Sequence, residues 1–175
     1  MLGKLEIIVG PMFSGKSEEL IRRIKRAKLA NRKVACYKSN IDKRYSVNEI
    51  VSHDNRRQKS KTLSSLKEIL SETADFIAVD EIQFFPESEL EILVQLANSG
   101  KTIIVAGLDM DYTGAAFPST AKAMAMADEV LKLKAICMEC GEEAGFSKRL
   151  STQTDTILVG EKQHYQARCR KHFYR

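Results

Sequence analysis

The chain has 175 residues, of which 43% are hydrophobic, so it can bury one core or one core with a small appendage, and wholesale disorder is excluded. No apolar run approaches the ~20 residues that span a bilayer. A formal charge of +5 with a pI of about 9.0 suits anionic partners, whether nucleotides or nucleic acid.

In chain order, residues 5–9 form a short β-branched apolar run that predicts a strand. Residues 10–17 are rich in small residues and read as a loop. From residue 16 to 30, Leu20, Ile21, Ile24 and Ala27 recur at helical spacing, and Asn31 is placed to end the helix. The basic run within it, Arg22-Arg23-Ile24-Lys25-Arg26-Ala27-Lys28, reads as a solvated helix face. Residues 33–37 predict a second strand. Residues 39–62 are polar without a period and predict a long loop, a kind of segment that is commonly functional. A short Ser-capped helix over 63–70 and a buried strand over 76–79 follow. Then come a helix over 88–99 stopped by Gly100, a strand over 102–108, a short helix over 119–128 and a strand over 129–135. Alternating strands and helices imply an α/β fold with a mainly parallel sheet covered on both faces. The composition changes near Ile136, which divides the chain into expected domains 1–135 and 136–175.

Gly10-Pro11-Met12-Phe13-Ser14-Gly15-Lys16-Ser17 fits G-x-x-x-x-G-K-[ST], between a predicted strand and a predicted helix. The glycines let backbone N–H groups turn toward phosphate oxygens. Lys16 offers a charge to the β- and γ-phosphates, and Ser17 offers a hydroxyl to Mg²⁺. The following helix adds its positive end. Asp80-Glu81 closes the strand over 76–79, and strands of such a sheet deliver their ligands to the carboxyl edge. Asp80 is therefore expected to hold Mg²⁺ with Ser17, and Glu81 to act as a general base. This much defines a Mg-nucleotide phosphotransferase or ATPase.

Cys137-x-x-Cys140 and Cys169-x-x-His172 are two metal-spaced pairs, and four N/S ligands close a structural, tetrahedral Zn²⁺ site. The gap between the pairs is longer than in a zinc ribbon, so a sizeable segment is looped out. The fourth cysteine, Cys36, lies in a predicted strand as a buried thiol. Reduced cysteines and an N-terminus without an apolar leader core point to the cytoplasm.

The phosphate loop, Asp80-Glu81-Ile82-Gln83-Phe84-Phe85, Gly107-Leu108-Asp109 and Cys137-Met138-Glu139-Cys140 occur in this order in type II thymidine kinases, which the chain resembles along nearly its whole length. The resemblance implies a P-loop, RecA-like parallel sheet with a small C-terminal zinc-binding lasso domain. It implies transfer of phosphate from ATP to the 5′-hydroxyl of thymidine in nucleotide salvage, with Glu81 taking the hydroxyl proton; deoxyuridine is a further possible substrate. It implies that backbone groups of a lasso, at Thr156, Ile157, Leu158, Val159 and Gly160, hold the base. Tyr165 then lies on the sugar side, and Met12, Phe84 and Phe117 pack around thymine, with Arg149 in the pocket region. A homotetramer inhibited by thymidine triphosphate is implied as well. The chain departs from the family at His172, where many members have cysteine, at Tyr112, where phenylalanine is common, and at Ser147, where threonine is common. His53, Asp54 and Arg56 match the family only loosely and receive no role. The competing reading is a zinc-ribbon P-loop ATPase acting on nucleic acid; the short chain and the lack of a second ATPase motif count against it.

Overall fold

The computed structural model describes residues 3–41, 49–51, 56–150 and 164–175. Its elements are β1 (Lys4–Gly10), α1 (Lys16–Leu29), β2 (Val34–Ser39), β3 (Glu49–Val51), β4 (Arg57–Lys59), β5 (Lys61–Leu63), β6 (Phe76–Asp80), α2 (Glu91–Asn98) and β7 (Thr102–Leu108). After them come α3 (Pro118–Met126), β8 (Glu129–Lys132), β9 (Ala135–Ile136), β10 (Glu143–Ala144), β11 (Phe146–Arg149), β12 (Tyr165–Arg168) and α4 (Arg170–Phe173). Six strands form one sheet in the order β5-β2-β6-β7-β1-β8, and every neighbouring pair is parallel.

Period-two burial divides the central strands between two cores. Leu5, Ile7 and Val9 of β1, Ile77 and Val79 of β6, and Ile103 and Val105 of β7 face one side, where α2 brings Leu93 and Leu96. Ile8, Phe76, Ala78, Ile104 and Ala106 face the other, against Leu20, Ile21, Ile24 and Ala27 of α1. The sheet is thus covered on both faces, as an all-parallel sheet requires.

Glu6 is the polar exception in β1. It is buried, and Lys4 and Arg23 pair with it. Arg23 also holds Glu19 at 2.8 Å, one turn away on α1. The helix then ends in a Schellman turn. Asn31 takes a positive φ of 56°, its N–H donates to Lys28 O at 3.0 Å, and Arg32 N–H donates to Ala27 O at 3.1 Å.

The region expected to be one long loop, residues 39–62, contains more order than its composition suggests. β3 and β4 pair antiparallel, and Ile50 is sealed into the α1-side core. Lys28 Nζ donates to Gln58 Oε1 at 2.7 Å, and Arg56 lies 3.3 Å from Glu18. β5 joins the main sheet at its edge, beside Tyr37–Ser39 of β2. Strands of three residues with at most one buried apolar side chain leave no period to read. His53 and Asp54 lie outside the described residues.

The helix expected over 63–70 is a single 3-10 turn, Leu66–Ile69, closed by a reciprocal cap between Ser65 and Glu68. The helix expected over 88–99 begins with a 3-10 turn at Glu87–Glu89, and α2 follows from Glu91. The strand expected over 129–135 ends at Lys132. Among the described residues, no helix is long and apolar enough to cross a membrane.

Arg22's hydrogen bond, opposed by burial and reinforced by Arg23, holds the Glu19 carboxyl at about 2. A carboxyl depressed on folding stabilises fully above its unfolded value and loses that contribution as pH falls through its folded value. Glu19→Gln should therefore lower the urea midpoint at pH 7. The difference from the parent protein should shrink as pH falls from about 4.5 toward 2, and a difference independent of pH in paired urea titrations would refute the assignment.

Candidate active site and metal centre

Parallel strands place the loops that follow β1, β6, β7 and β8 at one edge of the sheet. The loop after β1 is the phosphate-loop sequence. Gly10 has φ 151°, and a Cβ there would lie 2.5 Å from Leu133 O and 2.9 Å from Ser14 Oγ. A Cβ on Gly15 would meet only Glu18 Oε2, at an ordinary 3.9 Å, but its φ of 83° favours glycine. Ser14 Oγ donates to Pro11 O at 2.8 Å, and Lys16 Nζ donates to the same oxygen at 2.7 Å. α1 starts at Lys16, so Lys16 and Ser17 occupy the first turn, where helix N–H groups lack helical acceptors.

Asp80 ends β6, which is separated from β1 by β7 alone. Ser17 Oγ donates to Asp80 Oδ2 at 3.1 Å, so the hydroxyl and carboxylate are adjacent before any ion is considered. Both are hard oxygen donors of the kind magnesium takes. Glu81 N–H donates to Asp80 Oδ1 at 3.0 Å. Glu81 itself adopts φ 59°, ψ 48°, a left-handed conformation that costs a non-glycine residue about 1–2 kcal/mol. Such strain concentrates at functional sites.

Two groups that sequence reasoning passed over lie beside these acids. Gln83 Nε2 donates to Glu81 Oε2, while Gln83 Oε1 accepts from Leu108 N–H at 3.1 Å. Gln83 thereby fixes the Glu81 carboxylate to the end of β7. A Cβ on Gly107 would lie 2.5 Å from that same Gln83 Oε1, which accounts for glycine there. Lys38 of β2 is 2% exposed and stands in register with Asp80. Gln83 lies within the segment Asp80–Phe85, but a glutamine between apolar residues carries no chemical signal of its own. Lys38 fell just beyond the expected strand.

Of the expected pocket residues, Met12 is buried within the phosphate loop and Phe84 is half-buried in the 3-10 turn Ile82–Phe84. Phe117 is half-buried before α3, with its N–H on Asp109 O at 3.1 Å. Asp109, following β7, is ion-paired at 2.9 Å with Lys132 of β8 and so bridges the strands flanking β1. Tyr165 is buried opposite Arg149 across β11 and β12. Arg149 Nη2 donates to Tyr165 Oη at 2.6 Å, and its guanidinium carbon lies 3.8 Å from the centre of the Tyr112 ring. This cation–π stack joins β11 to the loop after β7. Thr156, Ile157, Leu158, Val159 and Gly160 lie outside the described residues.

The two metal-spaced pairs converge. One ligand atom each from Cys137, Cys140, Cys169 and His172 lies within 4.8 Å of all the others. A tight turn folds the first pair: Gly141 N–H donates to Cys137 O at 2.9 Å, and Gly141 has φ 76°. The single turn α4 brings His172 back over Cys169. The Sγ of Cys140 and that of Cys169 are 3.8 Å apart; His172 Nδ1 is 3.8 Å from Cys137 Sγ and 3.3 Å from Cys169 Sγ. With metal–sulfur bonds of about 2.3 Å, the edge of a tetrahedron is about 3.8 Å, so the cluster fits a four-coordinate ion such as zinc. Burial pushes the Cys137 thiol up, yet N–H groups of Cys169, Glu139 and Cys140 together with His172 hold it at about 5, in the thiolate form a metal needs. Cys36 lies apart from this cluster, buried in β2, and burial raises its thiol to about 11.

The family model described as thymidine kinase matches residues 3–173. The chain is 45% identical over 175 residues to a thymidine kinase of Bacteroides fragilis, covering 99% of this chain and 88% of that one. It is 42% identical over 174 residues to a thymidine kinase of Rhodothermus sp., covering 98% and 82%. Among solved structures, the flagellar accessory protein FlaH of Methanocaldococcus jannaschii superposes with a TM-score of 0.51 at 15% identity, over 81% of this chain and 75% of that one, a likeness of fold.

Proposed function

The chain belongs to the thymidine kinase family, and we propose that it transfers the γ-phosphate of Mg-ATP to the 5′-hydroxyl of thymidine, giving thymidine monophosphate. The observation that carries the reading is the Ser17–Asp80 contact at 3.1 Å with Glu81 immediately beside it. Phosphoryl transfer asks little covalent chemistry of the protein and much positioning. Residues 10–17 cradle the phosphates, and Lys16 turns from Pro11 O to the phosphate oxygens. Ser17 and Asp80 would hold magnesium, which would neutralise charge on the phosphates. Glu81 accepts the proton of the 5′-hydroxyl as that oxygen attacks in line.

Gln83 keeps the Glu81 carboxylate at the end of β7, where a hydroxyl held over the loop can reach it. Tyr165, steadied by Arg149, lies on the sugar side. Met12, Phe84 and Phe117 enclose the base, and the segment 156–160 holds its polar edge. Cys137, Cys140, Cys169 and His172 would hold zinc, which would tie together the chain on either side of that segment, and residues 136–175 act as a separate substrate-closing unit. A homotetramer, a cytoplasmic location, inhibition by thymidine triphosphate and acceptance of deoxyuridine belong to the same proposal.

The direct test is transfer from Mg-ATP to a panel of nucleosides. Thymidine should be converted; ATP hydrolysis with no nucleoside product would move the reading to a nucleic-acid ATPase. Glu81→Gln should cut turnover by about 10²–10⁴-fold and leave ATP binding intact, and retained turnover would remove Glu81 as base. Gln83→Leu should lower kcat about tenfold with the KM for ATP unchanged, which steady-state kinetics would check. Elemental analysis should find one equivalent of zinc per chain, with Cys140→Ser losing it.

A further inference from the structure

We propose that the cysteine–histidine module sets the shape of the phosphate loop, with Ser147 and Phe13 as positioning residues at the joint. This rests on reading residues 10–17 as the ATP cradle. Two consecutive loop residues make the contacts that carry it. Met12 N–H donates to Ser147 Oγ at 2.8 Å, buried, across 135 positions of sequence. The next residue, Phe13, is held at φ 66° with its side chain against the apolar cluster of Ala135, Cys137, Ala144 and Ala167.

The route from the metal ligands to the loop is short and continuous. Ser147 is 5% exposed on β11, and its partner across the ladder is Ala167 of β12. Ala167 O accepts from Met138 N–H at 3.0 Å, inside the Cys137–Cys140 turn, and two residues later the chain reaches the ligand Cys169. One residue, Ala167, therefore touches the ligand turn, the Ser147 strand and the cluster that receives Phe13.

Backbone donors bind phosphate best when held in place beforehand, because ordering them on binding subtracts from affinity. The loop's own bonds, from Ser14 and Lys16 to Pro11 O, leave Met12 and Phe13 to be fixed from outside it. The Met12 N–H, given to Ser147, is withdrawn from the phosphates and becomes an anchor. Packing on the metal module keeps Phe13 in a conformation its own sterics disfavour. Removing the Ser147 hydroxyl leaves a buried donor unsatisfied, and the loop must move to satisfy it.

The test measures binding of a non-hydrolysable ATP analogue with Mg²⁺ to the full-length, zinc-loaded protein by calorimetry. Ser147→Ala should bind about tenfold more weakly while retaining one zinc per chain, and Ser147→Thr, which keeps the hydroxyl, should bind like the parent. Parent-like affinity in Ser147→Ala, or failure of Ser147→Thr to restore it, overturns the proposal. Should Ser147→Ala not fold, Phe13→Leu is measured in its place: weaker analogue binding with zinc retained supports the joint, and unchanged binding overturns it. Because the readout is nucleotide binding, a tenfold loss in a protein that makes no thymidine monophosphate supports this proposal and overturns the kinase reading.

Discussion

Everything at the candidate site depends on the strands of the main sheet running one way. Parallel pairing sends β1, β6, β7 and β8 out at a single edge, so four loops that are far apart in sequence must share it. With β7 alone between β1 and β6, the gap is small enough for Ser17 to reach Asp80. Were β6 antiparallel, the same Asp-Glu pair would emerge at the opposite end of the sheet. The chemistry is therefore a consequence of topology before it is a consequence of side chains.

The parallel arrangement goes with burial on both faces of the sheet. β6 has no exposed residue, so its backbone polar groups must all be met by neighbours, and the two apolar cores leave no face for solvent. That rigidity matters at the two non-glycine residues, Phe13 and Glu81, held in the left-handed region beside the edge. Neither conformation is locally favourable. Each persists because its surroundings over-determine it: the metal module around Phe13, and the Gln83–Leu108 link around Glu81.

Sequence disclosed those parts whose chemistry is local. The phosphate loop, the Asp80-Glu81 pair and the two metal-spaced pairs are written in residues a few positions apart, and the structure brings each set together. The strands over 102–108 and 76–79 were readable because apolar β-branched runs of that length have few alternatives. What escaped was cooperative or long-range. β3, β4 and β5 exist because α1 and β2 offer surfaces to pair with, and three residues carry no period of their own. Gln83 looks ordinary until Glu81 and Leu108 are seen on either side of it. Ser147 had no legible role because its partner is Met12, 135 positions earlier. The lasso positions 156–160 came from resemblance alone.

The ladder between β11 and β12 has a consequence for chain entropy. Leu150 N–H donates to His164 O at 2.9 Å, so the intervening segment leaves and re-enters the fold at one spot. The ladder brings the two ends of that segment together when the chain folds. Closure entropy grows only with the logarithm of loop length, about 0.6 kcal/mol per doubling. Insertions or deletions between residues 150 and 164 therefore weigh little on global stability. If that segment holds the nucleoside as proposed, its length can change to suit a different one without renegotiating the fold beneath it.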